Sequence, residues 1–567
     1  MNPLSREEMS WDSAFSVARL PPLKRIYRPL KKESLSCFTE YREIEVFHPG
    51  LHNLNELLEP DTKETWLNAL LDNQWQWDSQ SEPAAKGDVT IRIVNTKAPL
   101  EKPKAANAYC KVTHLLDPYS HMKGRYQNKG EKGILRSLKK QADPMNQAYV
   151  ESVASYLVSR LRESDGSPHF ALYYGAFRGV ADTYEYNITD DYSSLRNHGW
   201  FWRAQQGGRF NLKMDASDSV TYSERIEWTR RPSFLENSST DSDDSDDSDN
   251  SGKKSVISLN DASIKDKNGS IHSDDFDIKT NSDSDVSDDE DEDEDEDEEE
   301  SPTFSAVLKN FPVLLLYLER CDGLMDTLLE LEKKQEGWEE KWAAWIFQVI
   351  AALCAMQHLF SMTHNDLHTN NIVWSHCDEE FLYYRANGHT WQVPTYGKVF
   401  KIIDFGRSIY KLKDKVIYSD DFLEGNDAGN QYNFGDFKDE SKKEVLPNPS
   451  FDLCRLSTSL FEALYPEPPE EKRGGKVLSN EPGLIVKETK SDLYNCLWTW
   501  MLTESGENIL IDETGEEKYP DFELYSVIAE QCKGARPRDQ VNKKPFSGFQ
   551  IKADKIPKEA KVYSLFF

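Results

Sequence analysis

At 567 residues the chain is long enough for about four domain equivalents of roughly 150 residues each, so core size does not limit it. Hydrophobic residues make up 38% and charged residues 29%, and 14 Trp, 25 Tyr and 26 Phe are too many aromatics for a mostly disordered chain. The net charge of −31 is concentrated: residues 236–300 hold 27 Asp and Glu against 5 Lys, a net of −22, and the −9 left elsewhere argues against a broad nonspecific nucleic-acid surface.

Residues 1–85 mix short helical patterns with Pro breaks, include an aromatic helix candidate over 65–77 and carry no legible motif. The opening MNPLSREEMSWDSAF lacks the basic start and apolar run of a secretion signal. From Asp88 the pattern turns strand-like, VTIRIV and then AYCKV across a Lys/Pro loop, followed by a helix predicted over 144–163. HFALYYGAF (169–177) reads as a further strand. The Ser/Asp tract that follows offers nothing to offset ordering entropy, which predicts a disordered acidic insertion at 236–301.

PVLLLYLE (312–319) has the look of a buried strand broken by Gly323, and 324–334 has helical spacing. Residues 342–362 carry no formal charge over about the length that spans a bilayer. Gln348, Gln357 and His358 interrupt them and a polar loop follows, so the reading is a buried core helix and no membrane span. Short strands at 371–374 and 400–403 flank a loop-rich insertion, and 451–465 is again helical. The eight cysteines are scattered without a CxxC, as in reducing-compartment proteins rather than disulfide frameworks or zinc modules.

The chemistry concentrates in HNDLHTNN (364–371), between the apolar helix and a strand, and in IIDFGRS (402–408). Phosphoryl transfer from ATP needs an acidic group to orient the attacking hydroxyl, and amide and carboxylate oxygens to hold Mg2+ (or Mn2+) against the phosphates. Asp366, Asn371 five residues later and Asp404 in D-F-G supply these in protein-kinase order, with Asp366 catalytic and Asn371 and Asp404 on the metal. The pattern also asks for a strand lysine and a helix glutamate, met by Lys111 and Glu151. Residues 318–322 would form the hinge on adenine, with Glu319 and Cys321 as cofactor-binding positions. Asp452 in SFDLCRLS sits where a buried aspartate accepts backbone hydrogen bonds from the catalytic loop; its alternative is a helix cap. Two parts are missing: no G-x-G-x-x-G precedes Lys111, and no A-P-E follows Asp404. His368 replaces the usual lysine two residues after the catalytic aspartate, as in small-molecule kinases of the aminoglycoside and choline type, and would bring a pH-dependent charge to the transferred phosphoryl group.

The run of KVTHLLDPY, YVESVASYLVSRL, SPHFALYYGAF, HNDLHTNNIVW, IIDFGRSIY, YSDDF, GNDAGNQYN and YPDFELYSVIA, over residues 105–550 without the acidic tract, resembles the virion-associated serine/threonine protein kinases of poxviruses and, more closely, giant DNA viruses. The resemblance implies an α+β, two-lobed protein-kinase-like fold: an N-terminal extension (1–85), a small β-rich upper lobe (86–320) holding the insertion, and a larger helical lower lobe (321–567). It implies an ATP-dependent protein kinase of the virion and host cytoplasm, acting on virion or host proteins, with GNDAGNQYN (425–433) as a substitute activation segment and the missing glycine loop as a family trait. A small-molecule kinase and a catalytically silent virion scaffold are the competing readings. Ser238, Thr240, Ser282 and Ser287 each have an acidic residue three positions on, a pattern suited to phosphorylation and to a tether for basic partners.

Overall fold

The computed structural model describes residues 32–49, 73–126, 131–217, 221–232, 302–332 and 336–565, apart from short stretches at 413–414, 424–425, 427, 430, 436–437, 482–483, 513–516 and 520–521. The acidic tract, with its four candidate phosphorylation sites, and residues 65–72 of the expected aromatic helix lie outside them.

Mixed α and β structure is built around a curled antiparallel sheet. Its strands are β1 (Tyr41–Phe47), β2 (Trp75–Gln80), β3 (Gly87–Asn95), β4 (Lys104–His114), β5 (Tyr173–Asn187), β6 (Asn211–Asp215) and β7 (Thr303–Glu319). They run in the order β1-β5-β7-β4-β3-β2, with β6 against the first part of β7. In β3, Val89, Ile91 and Ile93 face inward while Asp88, Thr90 and Arg92 alternate outward or to the edge, the period-two pattern of a half-buried strand. β7 is buried on both faces: Val313, Leu315 and Tyr317 enter one hydrophobic core, and Leu314, Leu316 and Leu318 enter the other. Its uninterrupted apolar run follows from that double burial.

Four differences from the sequence reading have local causes. The division expected between residues 85 and 86 falls between the paired strands β2 and β3, so Tyr41–Phe47 and Trp75–Gln80 belong to the sheet. Trp75 and Trp77, the end of the helix candidate over 65–77, are strand residues because β3 offers them a ladder. β5 starts at Tyr173 and runs on to Asn187, held along its length by β7. The loop-rich insertion contains a hairpin of β10 (Phe381–Ala386) and β11 (His389–Pro394), whose two-residue turn, Asn387 and Gly388, has φ of +46° and +79°, the mirror-image turn that suits strand twist.

Helix α1 (Glu131–Ala142) leads into α2 (Gln147–Glu163), whose N-cap Asn146 accepts a hydrogen bond from Ala148 N. Val150, Val153, Ala154 and Leu157 of α2 are fully buried in the core shared with Leu314 and Leu316. Beyond β7, Gly323 does not end the strand structure: β8 (Gly323–Leu324) pairs with β9 (Ile372–His376), which pairs with β12 (Lys398–Ile402). Helix α3 (Thr327–Glu332) follows β8. Helix α4 (Trp338–Phe360) is the one described helix long and apolar enough to cross a membrane, and 83% of its most apolar stretch is buried inside the fold. Its Gln348 donates to Lys398 O (3.1 Å) and accepts from Phe400 N (3.0 Å), closing the free edge of β12. Helices α5 (Phe451–Leu464), α6 (Asp492–Trp500) and α7 (Glu523–Gln531) complete the helical core.

Candidate active site

Lys111 lies on the face of β4 opposite Cys110 and Val112, across the ladder from Leu316, and so points toward α2. There its Nζ meets Glu151 Oε1 at 2.8 Å and Asp404 Oδ2 at 3.0 Å. Lys111 and Glu151 are thus the ion pair that their strand and helix positions suggest. Burial works to raise the Asp404 carboxyl, but the charge and hydrogen bond of Lys111 hold it below its ordinary range. Asp404 has φ of +62° and Asn365 +64°; both are non-glycine residues in the left-handed region, a cost of about 1–3 kcal/mol each that the surrounding packing must offset.

These groups line a cleft of about 500 Å³, together with the connection from Leu318 to Gly323 and with Val373, Trp374 and Ile403. Glu319 and Cys321 both line it. The Glu319 side chain, however, is committed elsewhere: it takes both guanidinium nitrogens of Arg162, Lys401 Nζ at 3.1 Å and Leu172 N at 3.2 Å. Burial opposes its charge, but Lys401 and Arg162 prevail and keep it ionised. Only its backbone carbonyl is suited to a ligand. At Cys321 no hydrogen bond among the described residues occupies the backbone N–H.

Asp366, His368 and Asn371 are not among the residues lining that cleft; they form the adjoining loop, joined to the Asp404 stretch by Ile403 N donating to Asn371 O (3.1 Å). The loop is fixed from below by Asp452 of α5, whose carboxylate accepts from His364 N (3.0 Å) and Asn365 N (2.9 Å), while His364 Nε2 donates to Ile403 O (2.8 Å). Asn371 Nδ2 donates to Asp366 O (2.8 Å) and to His368 Nε2 (3.1 Å). Asp366 Oδ1 accepts from Tyr525 Oη of α7 at 2.6 Å, and Oδ2 faces Arg407 Nη1 at 3.6 Å. Burial would raise the Asp366 carboxyl, yet Arg407, His368, the Tyr525 hydroxyl and Arg455 together hold it well below the usual carboxylate range. His368 is pushed down to about 4, mainly by burial, so its imidazole is neutral at pH 7 and its charge change lies in acid, not near neutrality.

Sequence reasoning missed Arg407, Tyr525 and Arg455 around Asp366, and Arg162 and Lys401 on Glu319. Arg407 follows D-F-G directly and was open to notice. Tyr525 lies 159 residues from Asp366 and has no local signal. No family model matches the chain, and no curated protein matches it.

Proposed function

We propose that this chain is an ATP-dependent phosphotransferase of two-lobed, protein-kinase-like architecture that acts on serine or threonine of proteins. The observation that carries the reading is the convergence of Lys111, Glu151 and Asp404, from three separate stretches, on one wall of a nucleotide-sized cleft. A lysine steadied by a helix glutamate is suited to the α- and β-phosphates, and the Glu319 carbonyl and Cys321 N–H to the edge of adenine. Asn371 has its amide nitrogen committed, which leaves Oδ1 as its ligand atom; with the Asp404 carboxylate this gives hard oxygen donors that fit Mg2+. Magnesium held there would neutralise charge on the phosphates. Asp366 is too acidic to store a proton at neutral pH. Its part is to accept the hydrogen bond of the attacking hydroxyl and aim it, while Tyr525 and Arg407 hold the carboxylate still. Neutral His368 contributes a hydrogen bond, not a charge. The viral setting and the virion or host substrates rest on the sequence resemblance.

The test is transfer of labelled γ-phosphate to the chain itself and to a generic protein, with Mg2+ or Mn2+, beside Asp404→Ala. Transfer by the wild type and none by the variant is the expected result. Transfer to an aminoglycoside or choline but not to protein would move the chain to the small-molecule kinases. Failure of the wild type to bind Mg-ATP in calorimetry would leave only a scaffold.

A further inference from the structure

The chain beyond Asp404 returns to the helix that carries Glu151. In the 3-10 turn Asp420–Phe422, Asp420 N donates to Met145 O (2.8 Å), and the Asp420 carboxylate accepts from Gln147 N (3.1 Å), in the first turn of α2, and from Lys140 Nζ of α1. Asp421 Oδ2 accepts from Gln147 Nε2 and from Arg407 Nε, each at 3.4 Å. Gly406 permits the approach, since a Cβ there would stand 3.2 Å from Gln147 Nε2. Two adjacent carboxylates therefore tie the start of α2, four residues from Glu151, to Arg407 and through it to Asp366.

In many kinases a phosphate placed on this segment does that work, by drawing in arginines. Here the residue before Asp366 is Asn365 where the H-R-D pattern has arginine. Its side chain is used internally, donating to Arg407 O (3.0 Å) and accepting from Tyr432 Oη (2.5 Å). Residues 404–433 contain five hydroxyl side chains, Ser408, Tyr410, Tyr418, Ser419 and Tyr432, and all five are buried, none more than 8% exposed. A modifying enzyme has no exposed hydroxyl to reach in this stretch.

We infer that Asp420 and Asp421 are positioning residues that hold α2 in its Lys111-pairing pose, so that the site is assembled without phosphorylation of residues 404–433. This rests on the phosphotransferase reading above. Purified wild type should carry no phosphate on 404–433, and phosphatase treatment should leave transfer to a generic protein unchanged. Asp420→Asn keeps the shape but loses the charge-assisted bonds to Gln147 N and Lys140. It should lower kcat/KM for ATP by about 10- to 100-fold, chiefly through KM, and speed hydrogen exchange of α2's first-turn amides by about tenfold. Asp420→Glu should restore part of both. Should Asp420→Asn fail to fold, Lys140→Ala, which removes the more exposed partner, should shift both readouts in the same direction. Wild-type exchange in α2 of a folded variant would overturn the inference. So would a phosphate on any of the five hydroxyls, or on the exposed Ser441, whose removal abolishes transfer. If the wild type transfers no phosphate at all, the phosphotransferase reading falls, and the exchange measurement still decides what Asp420 does to α2.

Discussion

A carboxylate buried beside two arginines and a tyrosine keeps its charge because its surroundings are fixed in advance, and Asp366 depends on that fixing. On the phosphotransferase reading, Asp366→Asn should leave the fold in place and lower turnover by roughly two to four orders of magnitude, the range for losing a side chain positioned on the proton of the reacting group; steady-state kinetics with unchanged turnover would remove Asp366 from the mechanism. Tyr525→Phe deletes the 2.6 Å hydrogen bond to Asp366 and the 3.1 Å bond that the same hydroxyl accepts from Arg455 Nε. About 1.4 kcal/mol of lost orientation corresponds to about a tenfold drop in kcat with KM for ATP unchanged, and an equal kcat would reduce Tyr525 to packing. Lys111 differs, since its ammonium separates the buried Glu151 carboxylate from the partly buried Asp404 carboxylate. Lys111→Met would leave Glu151 and Asp404 facing each other without it, so stability as well as transfer should fall, by about 3–5 kcal/mol in urea unfolding.

Elements hold these residues only where their own polar groups are satisfied. Gln348→Leu should cost about 1–3 kcal/mol, because Lys398 O and Phe400 N at the edge of β12 would lose their buried partner; an unchanged urea midpoint would mean that water replaces it. The segment entering β5 is pinned to β12 and β10 by His169, between Phe400 O and Tyr384 Oη, each at 2.8 Å. Burial pushes this imidazole from 6.5 down to about 4. The unfolded chain takes up the proton first as pH falls, so stability is lost between pH 6.5 and 4, on the order of 3 kcal/mol from this group. His169→Gln should be less stable at pH 7 but flatter across that window, and an equal slope would refute the assignment. The helices and central strands were legible because their periods agree with their burial: VTIRIV alternates, and the apolar run of α4 is a helix buried on most sides. Trp75 and Trp77 stand two apart, the strand period, but a pair is too short to outweigh the helical reading of the residues before them until β3 is known. The Asn387-Gly388 pair is itself a hairpin-turn signal in the sequence. The partners of Asp366 and Glu319 were not legible, because they come from distant segments that only the folded chain brings together.

At the scale of the molecule, two hydrophobic cores share β7, and the cleft opens where that strand passes from the sheet toward the helices. The acidic tract interrupts the chain just before the same strand, so the geometry of its flanks decides whether it can be removed. Tyr192 stacks on Phe304 at 3.8 Å and donates its hydroxyl to Trp228 O, and the rings of Trp228 and Phe304 lie 6.4 Å apart. The described residues on the two sides of the tract thus meet in one aromatic cluster. Replacing residues 236–300 by an eight-residue Gly/Ser bridge shortens the segment between the described flanks about sixfold, worth about 1.5 kcal/mol in closure entropy in favour of the deleted form if that segment is a flexible loop. It also removes a net of −22 from the chain. The shortened protein should therefore unfold at the same or a slightly higher urea concentration, keep whatever Mg-ATP affinity the full chain shows in the test of the phosphotransferase reading, and differ mainly in a weaker, less salt-dependent attraction to basic proteins. A loss of cooperative unfolding in the deleted form would mean that the tract packs against the fold, and unchanged binding to a basic protein at low salt would mean that its charge is not used as a tether.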